Sequence, residues 1–202
     1  MALSLFKILK KIFSEIKSFV NFFISFCPGY SGKFVRRIIY KKRFKSLGKQ
    51  FDSEIGLVVT HPKNISLGND CSIMRFSSIN ACENSKIEIG DNFGVNHNVN
   101  INSSNGGYIK IGNNVLIASN VVIRSANHIF NNKNKLLRDS GHEGGKIIIG
   151  NNVWIGANCV ILKDVNIGDG AVIGAGTIVT HNVEMNEVIV GNKQTKIKTR
   201  FE

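Results

Sequence analysis

Aliphatic side chains recur every six residues through most of this chain, and this spacing restricts the fold more than any other feature of the sequence. An α-helix repeats every 3.6 residues and a strand every two, so a period of six fits neither element alone. A smaller residue stands two positions before many of the aliphatic residues, as at Cys71, Val121 and Ala171. The aliphatic positions are Leu67, Ile73, Ile79, Ile89, Val95, Ile101, Ile111, Ile117, Ile123, Ile149, Ile155, Ile161, Ile167, Ile173 and Val179.

Three such hexapeptides make a turn of 18 residues, which is the pattern of a triangular coil with three short parallel strands. Each side of the triangle contributes one aliphatic side chain to the interior, and Gly, Asn and Asp occupy corners where φ can be positive. The intervals between related segments are 22, 22, 38 and 18 residues. The segments are ISLGND at 65–70, IEIGDN at 87–92, IKIGNN at 109–114, IIIGNN at 147–152 and VNIGDG at 165–170.

The repeat has one long interruption, between His128 and Ile149. The interval of 38 residues exceeds one turn of 18 residues by 20, which predicts a protruding loop at about residues 129–148. Long loops in regular folds are usually functional or disordered, and the regular repeat on both sides favours a functional loop. His128 stands at its origin, where the triangular coil predicts a corner.

The N-terminal quarter of the chain differs from the rest in charge and in pattern. Residues 1–50 hold 12 Lys and Arg residues and one acidic residue, whereas residues 51–202 hold 14 and 13. Residues 5–26 place apolar side chains on one helical face and Lys, Ser and Asn on the other, which predicts an amphipathic helix. A second basic helix is predicted near residues 33–47, with Gly48 as its stop.

Two interpretations of this basic extension stay open. It can be an interfacial anchor whose apolar face enters the headgroup region while its lysines meet anionic lipid, or it can pack on the body or on a neighbouring subunit. Four lysines within residues 5–17 argue against a membrane span. A signal peptide is not expected either, because an unbroken apolar core and a cleavage site are missing. No nucleic-acid partner is expected, because no recognition motif accompanies the charge.

The cysteines and histidines predict neither disulfides nor a metal site. Cys27, Cys71, Cys82 and Cys159 form no C-x-x-C pair, which is typical of reduced thiols in the cytosol. The repeat explains Cys71 and Cys159 as small core residues. The five histidines show no metal-ligand spacing.

The segment IIIGNNVWIGANCVILKDVNIGDGAVIGAGTIVTHNV, residues 147–183, resembles the hexapeptide-repeat acyltransferases. Within that family it is most similar to the branch that acetylates galactosides, maltose and polysaccharides, and the resemblance covers residues 60–202. It implies an all-β fold, a left-handed parallel β-helix, with the N-terminal α-helices as an extension. It also implies a homotrimer with active sites between adjacent β-helices, acetyl-CoA as the donor and a saccharide hydroxyl as the acceptor, with no metal required.

The same resemblance implies the two central roles in catalysis. His128, in the sequence SANH, corresponds to the histidine before the family's loop, a general base that takes the proton of the sugar hydroxyl as it attacks the thioester. The backbone N–H of Ala157, in the sequence WIGAN, corresponds to the donor to the oxyanion. Trp154 lies three residues earlier and is implied to face the cleft for both CoA and the acceptor.

Further binding residues are implied by matching positions. For CoA these are Trp154, Gly156, Ala157, Gly174, Ala175 and Thr180, with Lys198 and Arg200 for its phosphates. For the acceptor they are Asn98, Asn127, His142 and Trp154. Three of these keep alternatives: Asn98 can be a corner residue, Asn127 can orient His128 or cap a turn, and His142 can contact the sugar or lie on a solvated loop. The residues Lys193, Thr195 and His181 depart from the family pattern.

The sequence therefore predicts three segments: a basic helical extension at 1–50, a β-helical acyltransferase domain at 51–190 and a basic tail at 191–202. We expect an O-acetyltransferase that acts on a bacterial surface saccharide, such as a capsule, O-antigen or lipid-linked intermediate. We expect it in the cytoplasm, at the inner face of the membrane. N-acetylation of an amino sugar and a non-enzymatic membrane-bound scaffold are the alternatives.

Overall fold

The computed structural model describes residues 2–82 and 84–191, with side chains from residue 6 onward. Two helices, α1 (Ala2–Phe26) and α2 (Gly29–Arg43), precede a left-handed parallel β-helix of six coils. The predicted fold class is confirmed. Each coil contributes one strand to each of three sheets.

The strands follow one another along the chain in coils of three. Coils one to three are β1 (Ser46–Leu47), β2 (Asp52–Ser53), β3 (Val58–Thr60), β4 (Ile65–Leu67), β5 (Ser72–Ile73), β6 (Ser78–Ala81), β7 (Lys86–Ile89), β8 (Gly94–Val95) and β9 (Asn100–Ser103). Coil four is β10 (Tyr108–Ile111), β11 (Leu116–Ile117) and β12 (Val122–Arg124), and a hairpin, β13 (Ala126–His128) and β14 (His142–Gly144), follows it. Coils five and six are β15 (Lys146–Ile149), β16 (Trp154–Ile155), β17 (Val160–Ile161), β18 (Val165–Ile167), β19 (Val172–Ile173) and β20 (Ile178–Val179), and β21 (Val188–Ile189) ends the described chain.

The three sheets are parallel and in register. The first sheet has the order β1-β4-β7-β10-β15-β18, the second β2-β5-β8-β11-β16-β19-β21, and the third β3-β6-β9-β12-β17-β20. Two short 3-10 helices, Pro62–Asn64 and Leu137–Asp139, lie between strands.

Register stacks identical side-chain types in the interior. Ile87, Ile109 and Ile147 are direct neighbours on adjacent strands, and all three are fully buried. Because successive residues of a strand point to opposite faces, a single residue of slip would turn this whole column outward. Cys71 and Cys159 are also buried, which confirms them as small core residues.

Asparagine and glycine form the corners for different reasons. Asn98, Asn120 and Asn158 all adopt positive φ, and each amide donates to the next along this corner at 3.0 Å. Asparagine tolerates the left-handed region better than most residues. At Gly112 the limit is space, because a Cβ would lie 2.6 Å from the backbone oxygen of Gly150.

The β-helix begins earlier than the predicted boundary at residue 51. Strand β1 pairs Ser46 and Leu47 with residues of β4. Helix α2 ends at Arg43, so the prediction that Gly48 stops a helix at 33–47 is wrong. Gly48 is a coil corner, where its N–H donates to the carbonyl of Leu67 at 3.1 Å.

One buried cation links both helices to the first coil. Arg36 on α2 is 1% exposed and donates to the carbonyl of Ser53 from two nitrogens, at 2.8 and 3.0 Å. Its third nitrogen donates to the carbonyls of Ile24 and Cys27 at the end of α1, at 3.3 and 2.7 Å. The guanidinium thus joins the end of α1, helix α2 and β2.

The amphipathic helix predicted at 5–26 is confirmed as α1. Its residues 6–20 are exposed on every side, whereas Ile24 is buried against the rest of the chain. No helix within the described residues is long and apolar enough to cross a bilayer.

The chain leaves the coils after Arg124 and returns at Lys146, so the excursion is slightly earlier than the predicted 129–148. The sequence predicted that His128 lies at a corner of the coil, and this prediction is wrong. His128 lies on β13, in an antiparallel hairpin outside the regular coils.

Candidate active site

Two histidine rings meet on the protruding hairpin. His128 on β13 lies directly opposite His142 on β14. Their ring centroids are 3.8 Å apart and their planes are inclined by 38°. His128 is exposed and His142 is half-buried. Within the described part of the chain, neither imidazole has a hydrogen-bond partner, so their ring nitrogens are available to a substrate.

The base of the hairpin is closely fitted to the coils. The N–H of Gly145 donates to the carbonyl of Ser125 at 2.6 Å, and the side chain of Asn105 donates to the carbonyl of His142 at 3.1 Å. At Gly144 a Cβ would lie 2.2 Å from the carbonyl oxygen of Asn105, so glycine is required there. These contacts hold His142, and through the strand pairing His128, in a defined position.

A salt bridge ties the outer strand of the hairpin to the next coil. The ammonium of Lys163 lies 3.3 Å from a carboxylate oxygen of Glu143 and 3.0 Å from one of Asp164. The hydrogen bond with Asp164 raises the pKa of Lys163. The N–H of Lys146 and the Lys163 ammonium both donate to Asp164, which lowers the pKa of its carboxyl. Lys163 and Asp164 are therefore both charged at neutral pH.

An open cavity of about 470 Å³ lies on the hairpin, with His128 in its wall. Asn127, predicted to bind the acceptor, also lines it. Phe130, Leu137 and Arg138, which were not predicted from the sequence, complete the lining. No periodic pattern marks these loop residues, although several large apolar side chains in a long polar loop could have drawn attention to them.

Trp154 lies elsewhere, on the outer face of the second sheet. It is 53% exposed and pairs with Leu116 on β11, which is 58% exposed. Together with Gly94 they border a shallow cavity of about 480 Å³. His97, at the adjacent corner, lines the same cavity.

The predicted CoA residues next to Trp154 form the edge between the second and third sheets. Ala157 and Ala175 occupy equivalent positions in coils five and six, and neither N–H has a hydrogen-bond partner within the described residues. Gly156 is required by packing, because a Cβ would lie 2.6 Å from the backbone nitrogen of Ala175. At Gly174 a Cβ would meet the side chain of Val190 at 2.5 Å. This edge therefore offers free amide donors on a surface of small residues.

The remaining predicted residues are dispersed. Asn98 lies on the same edge as Ala157, two coils away, where its side chain is engaged in the asparagine row. Thr180 lies on the hairpin's edge, with its hydroxyl 2.8 Å from Nδ1 of His181. Lys198 and Arg200 lie outside the described residues.

In a single chain the predicted site is divided into two groups. The hairpin leaves the coils at the edge between the third and first sheets, and in a triangular coil that edge is opposite the second sheet, which carries Trp154. His128 and Trp154 therefore face away from each other within one molecule. As for metals, the described residues contain no group of three or more His, Cys, Asp or Glu side chains that could hold an ion.

One known protein family matches a part of the chain that lies within the hexapeptide repeat. The family described as "Bacterial transferase hexapeptide (six repeats)" matches residues 146–181. No curated protein matches the chain by sequence.

Three solved structures with the same coil architecture are described as acyltransferases or acetyltransferases. A maltose O-acetyltransferase from Clostridium difficile is 30% identical, with 84% of this chain and 76% of that chain covered and a TM-score of 0.56. A variant of AntD, an N-acyltransferase from Bacillus cereus, is 25% identical over 83% of this chain and 90% of that chain, with a TM-score of 0.68. That structure holds dTDP-4-amino-4,6-dideoxyglucose and coenzyme A. VCA0836 from Vibrio cholerae, a hexapeptide-repeat acetyltransferase at 22% identity and a TM-score of 0.53, covers 79% of this chain and 76% of its own, and shares the fold.

The repeat, the coil architecture and the similarity to the maltose enzyme agree. The chain belongs to the hexapeptide-repeat acyltransferases.

Proposed function

We propose that the protein transfers an acetyl group from acetyl-CoA to a hydroxyl of a bacterial surface saccharide, with His128 as the general base. The observation that carries this proposal is the hairpin itself. It places His128 in the wall of an open cavity, with its ring nitrogens free and its position fixed by the contacts at Gly144 and Asn105.

The chemistry needs one proton acceptor and one anion-stabilising donor. The hydroxyl oxygen of the sugar bonds to the thioester carbonyl carbon as the neutral imidazole of His128 takes the hydroxyl proton. The N–H of Ala157, free of other partners within the described residues, donates to the oxygen that becomes negative. The C–S bond then breaks and the proton returns to the departing sulfur. His142, in contact with the His128 ring, is placed to orient that ring and to meet the same sugar.

The donor fits the edge where the free amides lie. The row of N–H groups at Ala157 and Ala175 suits the amide carbonyls of the pantetheine arm, and the exposed Trp154 ring gives it an apolar wall. Coenzyme A is bound in the AntD structures. For this chain we infer acetyl-CoA as co-substrate, with Lys198 and Arg200 as candidate contacts for its phosphates.

A homotrimer would unite the two halves of the site. His128 and Trp154 lie on opposite sides of one β-helix, so a site that uses both needs the hairpin of one subunit against the second sheet of a neighbour. The exposed apolar pair Leu116 and Trp154 is suited to such an interface. We therefore infer a cyclic trimer with heterologous contacts.

Mixed trimers test this arrangement directly. Neither His128→Ala nor Trp154→Ala alone should show full activity, but co-assembly in equal amounts should recover about a quarter of the wild-type activity. This recovery arises because some sites receive an intact His128 from one chain and an intact Trp154 from the other. If mixtures that have exchanged subunits gain no activity over the two variants, the shared site is refuted.

The second candidate function is transfer to an amine, because the AntD structures are of an N-acyltransferase and two of the complexes hold an amino sugar nucleotide. Release of free thiol from acetyl-CoA, measured with matched hydroxyl and amino sugars, separates the two. We expect release with hydroxyl acceptors such as capsular oligosaccharides. Release with amino sugars alone would establish N-acylation, and absence of both CoA binding and release would leave the scaffold interpretation.

We also infer that α1 lies in the surface of the inner membrane leaflet. Its apolar face is unpartnered within the described residues, with Leu9 56%, Ile16 56% and Phe19 64% exposed, and lysines follow the opposite face. Such a helix enters the headgroup boundary of anionic membranes. A chain that begins at Val20 should fail to sediment with anionic vesicles that carry down the whole protein; equal sedimentation would refute the anchor.

A further inference from the structure

A cavity of about 810 Å³ lies where the end of α1 meets α2 and the first coil. Its lining combines positive charge with apolar surface and contains no acidic residue. The residues that give it this character are Lys17, Lys42, Arg43, Lys63, Phe22 and Phe26. A cavity of this composition suits an anionic group attached to a hydrocarbon chain.

Two of the cations are held in place at the cavity. Arg43 is half-buried, and one of its terminal nitrogens donates to the side-chain oxygen of Asn21 at 2.9 Å. Lys63 donates to the carbonyl of Lys42 at 3.1 Å. An arginine or lysine that is already oriented loses less freedom when it meets a phosphate. Both keep further N–H groups for a ligand.

A row of polar side chains leads from this cavity towards His128. Thr60 lines the cavity, and Asn80, Asn102 and Arg124 follow it in register on the outer face of the third sheet. Thr60 donates to Asn80 at 2.8 Å, while the side chains of Asn102 and Arg124 have no partner within the described residues. From β3 to β12 the row spans roughly 14 Å, and the hairpin begins directly after Arg124.

We propose that the cavity binds the phosphate of a lipid-linked saccharide, whose sugar chain follows the polar row to His128. The lipid would continue along the aromatic residues of α1 into the membrane. The role of this ligand as acceptor rests on the proposed acyl transfer. The binding of the lipid phosphate does not rest on acyl transfer, so either proposal can fail without the other.

Vesicle binding by the full chain tests the proposal. Phosphatidylcholine vesicles that contain a polyprenyl monophosphate are compared with vesicles that contain phosphatidylglycerol at the same total charge. We expect about tenfold tighter binding to the polyprenyl monophosphate, the effect of one or two charge-assisted hydrogen bonds. The double variant Arg43→Gln, Lys63→Gln should bind both vesicles equally.

A matched variant, Lys7→Gln with Lys11→Gln, removes the same charge from the part of α1 outside the cavity. It should weaken binding to both vesicles alike and keep the preference. The inference is overturned if the whole chain shows no preference, if the cavity variant keeps it, or if equimolar inorganic phosphate abolishes it, since free phosphate would then be the ligand. His128→Ala should retain the preference while losing thiol release, which separates this site from the catalytic proposal.

Discussion

Replacing His128 with alanine should lower kcat for acetyl transfer by about 10² to 10⁴-fold. A sugar hydroxyl is a weak nucleophile at neutral pH, and the loss of the imidazole removes the group that takes its proton in the transition state. The acceptor KM should change far less, because the cavity on the hairpin is also formed by Asn127, Phe130 and Leu137. The measurement is thiol release from acetyl-CoA at saturating acceptor.

Lys135→Ala is the matched control for this prediction. Lys135 is exposed on the same loop and does not line the cavity, so its loss should leave kcat within about twofold. Circular dichroism and the melting temperature of both variants establish that each is folded. Equal kcat in His128→Ala and wild type would show that the hairpin histidine is not the base.

Variants of the neighbouring His142 test whether this residue positions the His128 ring. If it orients the His128 ring, His142→Ala should lower kcat by less than His128→Ala, and His142→Asn should recover part of the loss by restoring a polar contact. If the double variant is no slower than His128→Ala alone, the two rings act as one unit. Additive losses would show separate roles.

Replacing Arg36 with methionine should lower the free energy of unfolding by roughly 3 kcal/mol, because buried carbonyl oxygens of Ile24, Cys27 and Ser53 lose their donor. For a chain of this size that corresponds to a fall in Tm of roughly 6 to 12 °C. Methionine fills part of the volume and supplies no donor, so the loss of hydrogen bonds dominates over a cavity.

Arg37→Met is the control, since Arg37 is adjacent on α2 and also donates to a carbonyl, that of Phe51, at 2.8 Å. Arg37 is exposed and water can replace it, so its loss should cost less than about 1 kcal/mol. Thermal melting followed by circular dichroism compares the two. A common Tm for both variants would contradict the assigned role of Arg36 as the junction between the helices and the coils.

Several structural features could be predicted from the sequence because the residues that form them recur at a regular spacing. The spacing of Leu67, Ile73 and Ile79 predicts three short parallel strands per coil, and in-register stacking buries all three side chains. The amphipathic helix α1 could also be predicted, because its apolar residues recur at the helical period. The first coil was missed, although Leu47-Gly48 has the same form as Leu67-Gly68 twenty residues later. One Leu-Gly pair beside a basic helix indicates a coil less clearly than a series of such pairs at regular spacing.

The arrangement of the site was decided by the tertiary structure. The residues place His128 at the start of a long interruption, but not opposite His142, because hairpin pairing depends on how the loop closes and not on the period of the coils. The division of the site between the hairpin edge and the second sheet follows from which side of the triangle each strand occupies. Thus the six-residue period by itself predicted the triangular coil of parallel strands, since that arrangement buries the aliphatic side chains of the repeat. The three-dimensional path of the chain determined which polar groups meet, since contacts outside the repeat follow no sequence spacing.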